Sequence, residues 1–170
     1  MERLWAPWRK AYIRPEAQKT KGCLFCRLLA QNRDAQNYIL KRTPSSFALL
    51  NLYPYNSGHV LVVPKRHVGA TETMTDPEKL DWLRLYDEIL RALKASLKPH
   101  GFNVGLNLGK AGGAGVTGHL HLHVVPRWKG DTNFVPILGD TKVISESLES
   151  VYETLRRELP ASSASRKKLK

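Results

Sequence analysis

Apolar residues recur along this chain with two different periods, and the change from one to the other marks out an α+β order. Phe47-Ala48-Leu49-Leu50-Asn51 and His59-Val60-Leu61-Val62-Val63 are apolar runs of strand length. The segment between them carries Pro54, Asn56 and Gly58, all turn formers, so the two runs are expected to pair antiparallel. Next, Thr75-Asp76-Pro77-Glu78 offers a cap with a proline at the start of a helix, and Leu83, Tyr86, Leu90, Leu93 and Leu97 follow at helical spacing. This predicts a helix of about 20 residues ending before Pro99. Phe102-Asn103-Val104-Gly105-Leu106-Asn107 reads as a third strand. A glycine-rich stretch from Gly109 to Gly118 then leads into a fourth, Gly118-His119-Leu120-His121-Leu122-His123-Val124. A last helix fits Ser147 to Leu159, with Leu148, Val151, Tyr152 and Leu155 on one face. No repeat is present, and 170 residues suit one domain.

The fourth strand carries the chemistry. Side chains alternate across a strand, so His119, His121 and His123 share one face while Leu120, Leu122 and Val124 take the other. Neighbouring imidazoles then lie roughly 6 to 7 Å apart. Three desolvated rings in register are costly as mere structure, because each needs a hydrogen-bond partner. Two functional readings remain open on the residues alone. The histidines are ligands of an open metal site, for which only Asp131 stands nearby as a supporting carboxylate. Alternatively, one neutral imidazole is a nucleophile and a second, charged one assists the leaving group. Phosphorus suits the second reading. Gly109-Lys110-Ala111-Gly112-Gly113-Ala114-Gly115 is either a cradle whose N–H groups approach phosphate or a flexible connection.

Composition narrows the setting. With 42% apolar and 25% charged residues, and no apolar run long enough to span a bilayer, the chain reads as soluble. Met1-Glu2-Arg3-Leu4-Trp5 lacks the apolar centre of a signal peptide, so a cytoplasmic setting is expected. The formal net charge is +12; removing Arg166, Lys167, Lys168 and Lys170 of a low-complexity tail leaves +8. That tail, residues 161–170, is expected to be disordered. The remaining charge favours an anionic ligand, while the absence of a basic stripe interleaved with aromatics argues against dedicated nucleic-acid binding. The two cysteines form Cys23-Leu24-Phe25-Cys26, which reads as metal ligation or redox chemistry, or as two inert buried thiols.

At this point His119-Leu120-His121-Leu122-His123-Val124-Val125 resembles the signature of the histidine triad superfamily of nucleotide hydrolases and transferases. The resemblance extends from Leu4-Trp5-Ala6-Pro7-Trp8-Arg9 through Asn51-Leu52-Tyr53-Pro54-Tyr55-Asn56-Ser57-Gly58-His59 and Pro64-Lys65-Arg66-His67 to Pro126-Arg127-Trp128 and Gly130-Asp131-Thr132-Asn133-Phe134. These motifs look most like the bacterial branch with diadenosine tetraphosphate phosphorylases and hydrolases. The resemblance implies a HIT-like α+β fold over residues 1–160, with an antiparallel sheet of about five strands, helices packed on it, and segment 1–22 lying against it. It also implies a homodimer and a small-molecule nucleotide substrate.

The same resemblance implies roles residue by residue. His121 matches the nucleophile that attacks the α-phosphorus to give a nucleotidyl-histidine. His123 matches the residue that contacts phosphate and assists the leaving group, and His119 holds the constellation in place. His59 matches a further histidine lining the site. Asn51 matches a ribose contact and Asn107 a polar residue facing the phosphates; local hydrogen bonding is the alternative for both asparagines. Four residues before His119, where many members have glutamine or serine, this chain has Gly115, with Lys110 or a backbone N–H as substitute. Hydrolysis and phosphorolysis both stay open. Trp128 shapes the base or leaving-group pocket or simply packs, and Trp5 and Trp8 pack on the sheet or a partner rather than meet a base. Cys23, Cys26, His67 and His119 resemble the two-Cys, two-His site of some triad proteins, which implies a structural zinc ion and no organic cofactor. A purine nucleoside phosphoramidase, a non-enzymatic zinc-stabilised nucleotide-binding protein, and a metalloenzyme using the triad as ligands are the rival readings.

Overall fold

The structure is a computed structural model that describes residues 22–131, 144 and 146–160. The aromatic segment Leu4–Arg9, Thr132 to Phe134 and the tail 161–170 lie outside the described residues. Helix α1 (Leu24–Ala30) precedes strands β1 (Ile39–Arg42), β2 (Ser46–Leu50) and β3 (Val60–Pro64). A 3-10 turn (Thr71–Thr73), helix α2 (Asp76–Leu97), strands β4 (Gly101–Leu106) and β5 (Leu122–Arg127) and helix α3 (Leu148–Glu158) complete the order. All pairings are antiparallel in one five-stranded sheet, ordered β1-β2-β3-β5-β4. No helix of the described residues is long and apolar enough to cross a membrane.

Both faces of the sheet are covered, which explains why β2 and β3 are continuous apolar runs rather than alternating ones. One face sends Leu40, Ala48, Leu50, Val60, Val62, Leu122 and Val124 into a core shared with α2 and α3. The other sends Ile39, Phe47, Leu49, Leu61 and Val63 toward Phe25 of α1. Leu120, Leu122 and Val124 belong to the first core, as the alternation of the histidine segment requires. The histidines therefore face α1.

Two expectations are corrected, and one strand is added. Strand β5 starts only at Leu122, so His119 and His121 precede the ladder instead of lying within it. Its neighbour β4 ends at Leu106, opposite Leu122, and the chain then departs into the glycine-rich turn. Leu120 donates instead to the Val68 carbonyl at 2.7 Å. Strand β1 escapes sequence reading because it has four residues and an irregular register between Ile39 and Lys41. On α2 the buried stripe is Trp82, Leu85, Ile89, Ala92 and Leu93, and Leu83 is 50% exposed. Of the stripe that the spacing favours, Leu93 is buried in the core while Tyr86, Leu90 and Leu97 only flank it. What fixes the rotation is Trp82, whose indole N–H donates to the Val62 carbonyl at 2.9 Å.

The start of α2 is a complete capping box. Glu78 N–H donates to Thr75 Oγ1 at 3.4 Å, and Thr75 N–H donates to Glu78 Oε2 at 2.8 Å. Arg66 adds two charged hydrogen bonds to Glu78, each 2.7 Å. Together, Arg66 first and the Thr75 amide next, they hold the Glu78 carboxyl at a pKa of about 2 against an ordinary 4.5. A depressed folded pKa stabilises above the unfolded value and ceases to do so as pH falls through the folded one. Glu78→Gln is thus expected to be less stable than wild type in urea at pH 7, with the gap closing between pH 4.5 and about 2.

Candidate active site

Gly58 opens the site. It has φ +75°, and a Cβ there would stand 2.5 Å from Leu97 Cδ1, so only glycine turns the chain tightly into His59 and β3. On the far side, the histidine segment runs into β5 beside β3, with His123 opposite Leu61. His121 donates through Nδ1 to the carbonyl of His119 at 2.8 Å, since a carbonyl only accepts. Its Nε2 is then a bare lone pair. Burial pushes the His121 pKa down, the carbonyl bond pulls it the other way, and the net is downward, toward the neutral ring that a nucleophile needs.

Beside these rings lies a cleft of about 120 Å³. Leu24, Phe25 and Leu28 of α1 form one apolar wall, and Leu49, Leu50 and Leu61 of the sheet another. Tyr53 and Tyr55 come from the β2–β3 loop, and Gly113, Gly115 and Val116 from the glycine-rich turn. Asn51, Asn107, His121 and His123 supply its polar groups. Such a cleft can take a planar heterocycle against the apolar walls and leave an anionic chain at the imidazoles and glycine amides.

The expected residues are placed unequally. His121, His123, Asn51, Asn107 and Gly115 all line the cleft. His59 is 1% exposed and sits behind His123, its Nε2 2.9 Å from His123 Nδ1, rather than on the cleft wall. Lys110 is exposed on the turn and Trp128 lies past the end of β5; neither is brought to the wall. Asp131 supports the corner after β5, accepting from Asn56, Arg127 and the Trp128 amide, instead of backing the histidines. Phe25, Tyr53 and Tyr55 were not singled out from the sequence. Only their aromatic character, within a CxxC pair and around Pro54, marked them there.

A second cluster adjoins the first. One ligand atom each from Cys23, Cys26, His67 and His119 lies within 4.8 Å of every other, so the four can hold a metal ion. Cys23 Sγ is 3.2 Å from His119 Nδ1, and Cys26 Sγ is 3.5 Å from His67 Nδ1 and 3.6 Å from His119 Nδ1. A tetrahedral ion bound at about 2.3 Å to sulfur and 2.0 Å to nitrogen sets S···N edges near 3.5 Å, so the spacing fits. His119 Nε2 donates to the Pro64 carbonyl at 2.8 Å, which leaves Nδ1 for ligation and fixes the ring. Phe25 links the two clusters. Its ring is edge-on to His119 at 5.4 Å and tilted on His121 at 5.1 Å.

Comparison with known proteins agrees with this geometry. A family model described as the HIT domain matches residues 32–130. The chain is 39% identical to the AP-4-A phosphorylase of Mycobacterium tuberculosis over 165 residues, 93% of this chain and 84% of that protein. Among solved structures, a zinc-bound histidine triad family protein of Mycobacterium smegmatis is 28% identical with TM-score 0.65, covering 81% of this chain and 92% of that one. A hypothetical histidine triad nucleotide-binding protein of Sulfolobus tokodaii is 25% identical with TM-score 0.66, covering 80% and 91%. With the alternating histidines, the antiparallel five-stranded sheet and a family match across most of the described residues, this chain belongs to the HIT domain family.

Proposed function

We propose that this protein transfers a nucleoside monophosphate, adenosine monophosphate foremost, from a dinucleoside polyphosphate to phosphate or water through a nucleotidyl-histidine at His121. The carrying observation is the His121 Nε2 lone pair, aimed by the 2.8 Å bond of Nδ1 to the His119 carbonyl on a ring that lines the cleft. Nε2 attacks the α-phosphorus, a P–N bond forms, and the P–O bond to the polyphosphate breaks. His123 gives the departing oxygen a proton. The acceptor then cleaves the P–N bond and returns a proton to His123. Asn51 meets the ribose, Asn107 and the amides near Gly115 meet phosphate, and the apolar walls meet the base.

Zinc is the ion we assign to Cys23, Cys26, His67 and His119, because two thiolates with two imidazoles suit it and close its coordination. It would tie α1 to the histidine segment without touching substrate. A cytoplasmic setting, which keeps both thiols reduced, belongs to the same reading. So does a homodimer: β4 is an edge strand carrying Val104, 43% exposed, a surface a second copy can pair with.

The relative named as a phosphorylase favours phosphate as acceptor. With diadenosine tetraphosphate, product analysis is expected to give adenosine diphosphate and adenosine triphosphate only when phosphate is present. Adenosine monophosphate and adenosine triphosphate, with or without phosphate, would instead identify a hydrolase. No cleavage under either condition would overturn the substrate class.

A further inference from the structure

Strand β4 carries a glycine for which its own fold gives no reason. Gly105 sits inside Gly101–Leu106, where a glycine weakens a strand because it has more freedom to lose and no side chain to pack. Its φ lies outside the left-handed region, and a Cβ there would meet no atom within 4 Å. Neither backbone conformation nor crowding calls for glycine. The reason left in a strand is the close approach of a ligand or of another backbone.

Register separates the two. Gly105 stands opposite His123, and residues paired across a ladder share a face, about 4.5–5.5 Å apart. The next pair, Leu106 and Leu122, takes the other face, toward the core of α2 and α3. Gly105 is therefore bare on the face of the histidines, and it is exposed. A second copy pairing along β4 would meet main-chain groups in the plane of the sheet instead. By alternation the exposed Asn103 shares the face of Gly105, while Asn107 lines the cleft. Asn103 Oδ1 accepts from Arg127 Nη1 at 2.6 Å, which turns the amide NH₂ away from the guanidinium. Two asparagines thus flank an open bay beside His123.

We infer that Gly105 is a specificity-determining residue: the bay it leaves beside His123, between Asn103 and Asn107, receives the departing nucleoside polyphosphate. The inference deepens the nucleotidyl-transfer reading and rests on it. In that reaction His123 serves the leaving group, so the chain departing from the α-phosphorus passes beside this ring. The apolar walls of the cleft take one base. The other half of a dinucleoside substrate needs room elsewhere, and β4 supplies it where Gly105 has no side chain. The asparagine amides offer neutral donors to phosphate oxygens, a weaker hold than a cation's and suited to a group that must leave.

The test compares two substrates in variants of the full chain. Diadenosine tetraphosphate has a large leaving group; adenosine 5′-phosphoimidazolide joins the same nucleotide to a small one. Gly105→Val fills the bay and, because a β-branched residue suits a strand, is expected to keep or raise Tm. It is expected to lose about 10-fold or more in kcat/KM for diadenosine tetraphosphate, the scale of a few misplaced methyl groups in a pocket. Cleavage of the imidazolide is expected to stay at the wild-type level. Asn103→Ala is expected to lose about fivefold with the first substrate only, the scale of one hydrogen bond. Equal losses by Gly105→Val on both substrates, or no loss on either, would overturn the inference and leave the reaction standing. A changed sedimentation coefficient in Gly105→Val would assign the bare face to a second copy and overturn it too. Wild type that cleaves neither substrate would overturn the reaction, and the inference with it.

Discussion

Replacing His121 by alanine is expected to lower turnover of diadenosine tetraphosphate by about 10³-fold or more, because the P–N bond of the proposed intermediate forms at its Nε2. The Nδ1 bond to the His119 carbonyl is what makes the residue singular: it fixes the ring and leaves only Nε2 for attack. The His123 ring lies 5.0 Å away and serves the leaving group in the proposed reaction. Folding should be little affected. The ring's packing partners are Phe25 and His123, and losing these contacts is worth about 1 kcal/mol, or roughly 2–4 °C in Tm for a chain of this length. A quench with nucleotide labelled at the α-phosphate reads the intermediate directly. Wild type retains label on protein and the variant retains none. Equal turnover by the variant would remove His121 from the chemistry.

The second large effect concerns the metal. Cys23→Ser with Cys26→Ser is expected to abolish stoichiometric metal and to lower Tm by about 10 °C. Zinc-dependent peptides owe about 10–16 kcal/mol to their ion, but here the larger core lies on the opposite face of the sheet and folds around α2 and α3. A loss near 4 kcal/mol is therefore the appropriate scale, at about 2–4 °C each. Function should suffer through KM before kcat, because Leu24, Phe25 and Leu28 form a wall of the cleft from the helix that the ion would anchor. Metal analysis and a scanning calorimetry trace check the first claim. Retained metal in the double variant would place the ion on the triad itself.

How much of this was legible in the sequence follows from the range of the forces involved. The face shared by His119, His121 and His123 needs only the alternation of an extended backbone, and it holds although two of the three lie outside the ladder. Helix α2 and its start were legible because caps are local, down to Thr75 and Glu78. Its rotation was not, since adjacent stripes are both apolar and the choice is made by Trp82 meeting a strand carbonyl twenty residues away. Convergence of Cys23 and Cys26 with His67 and His119 was implied by resemblance, whereas spacing alone contains no such information. His59 illustrates the limit best. The resemblance set it on the lining of the site, whereas it is buried behind His123, its Nδ1 facing the Tyr55 amide and Asn51 from a loop whose path no periodicity describes. Lys110 and Trp128 were candidates by chemistry and proximity along the chain, and neither lines the cleft.

Phe25 imposes a condition on the history of this chain. It follows Cys23 by two residues, precedes Cys26, and touches both a proposed metal ligand and the proposed nucleophile. A lineage that lost one cysteine would hold an ion open to water and a loosened aromatic contact at once, with no gain to offset either. Drift at positions 23 and 26 should therefore be concerted across descendants: both thiols kept, or both replaced within the same branch, while the aromatic ring between them persists.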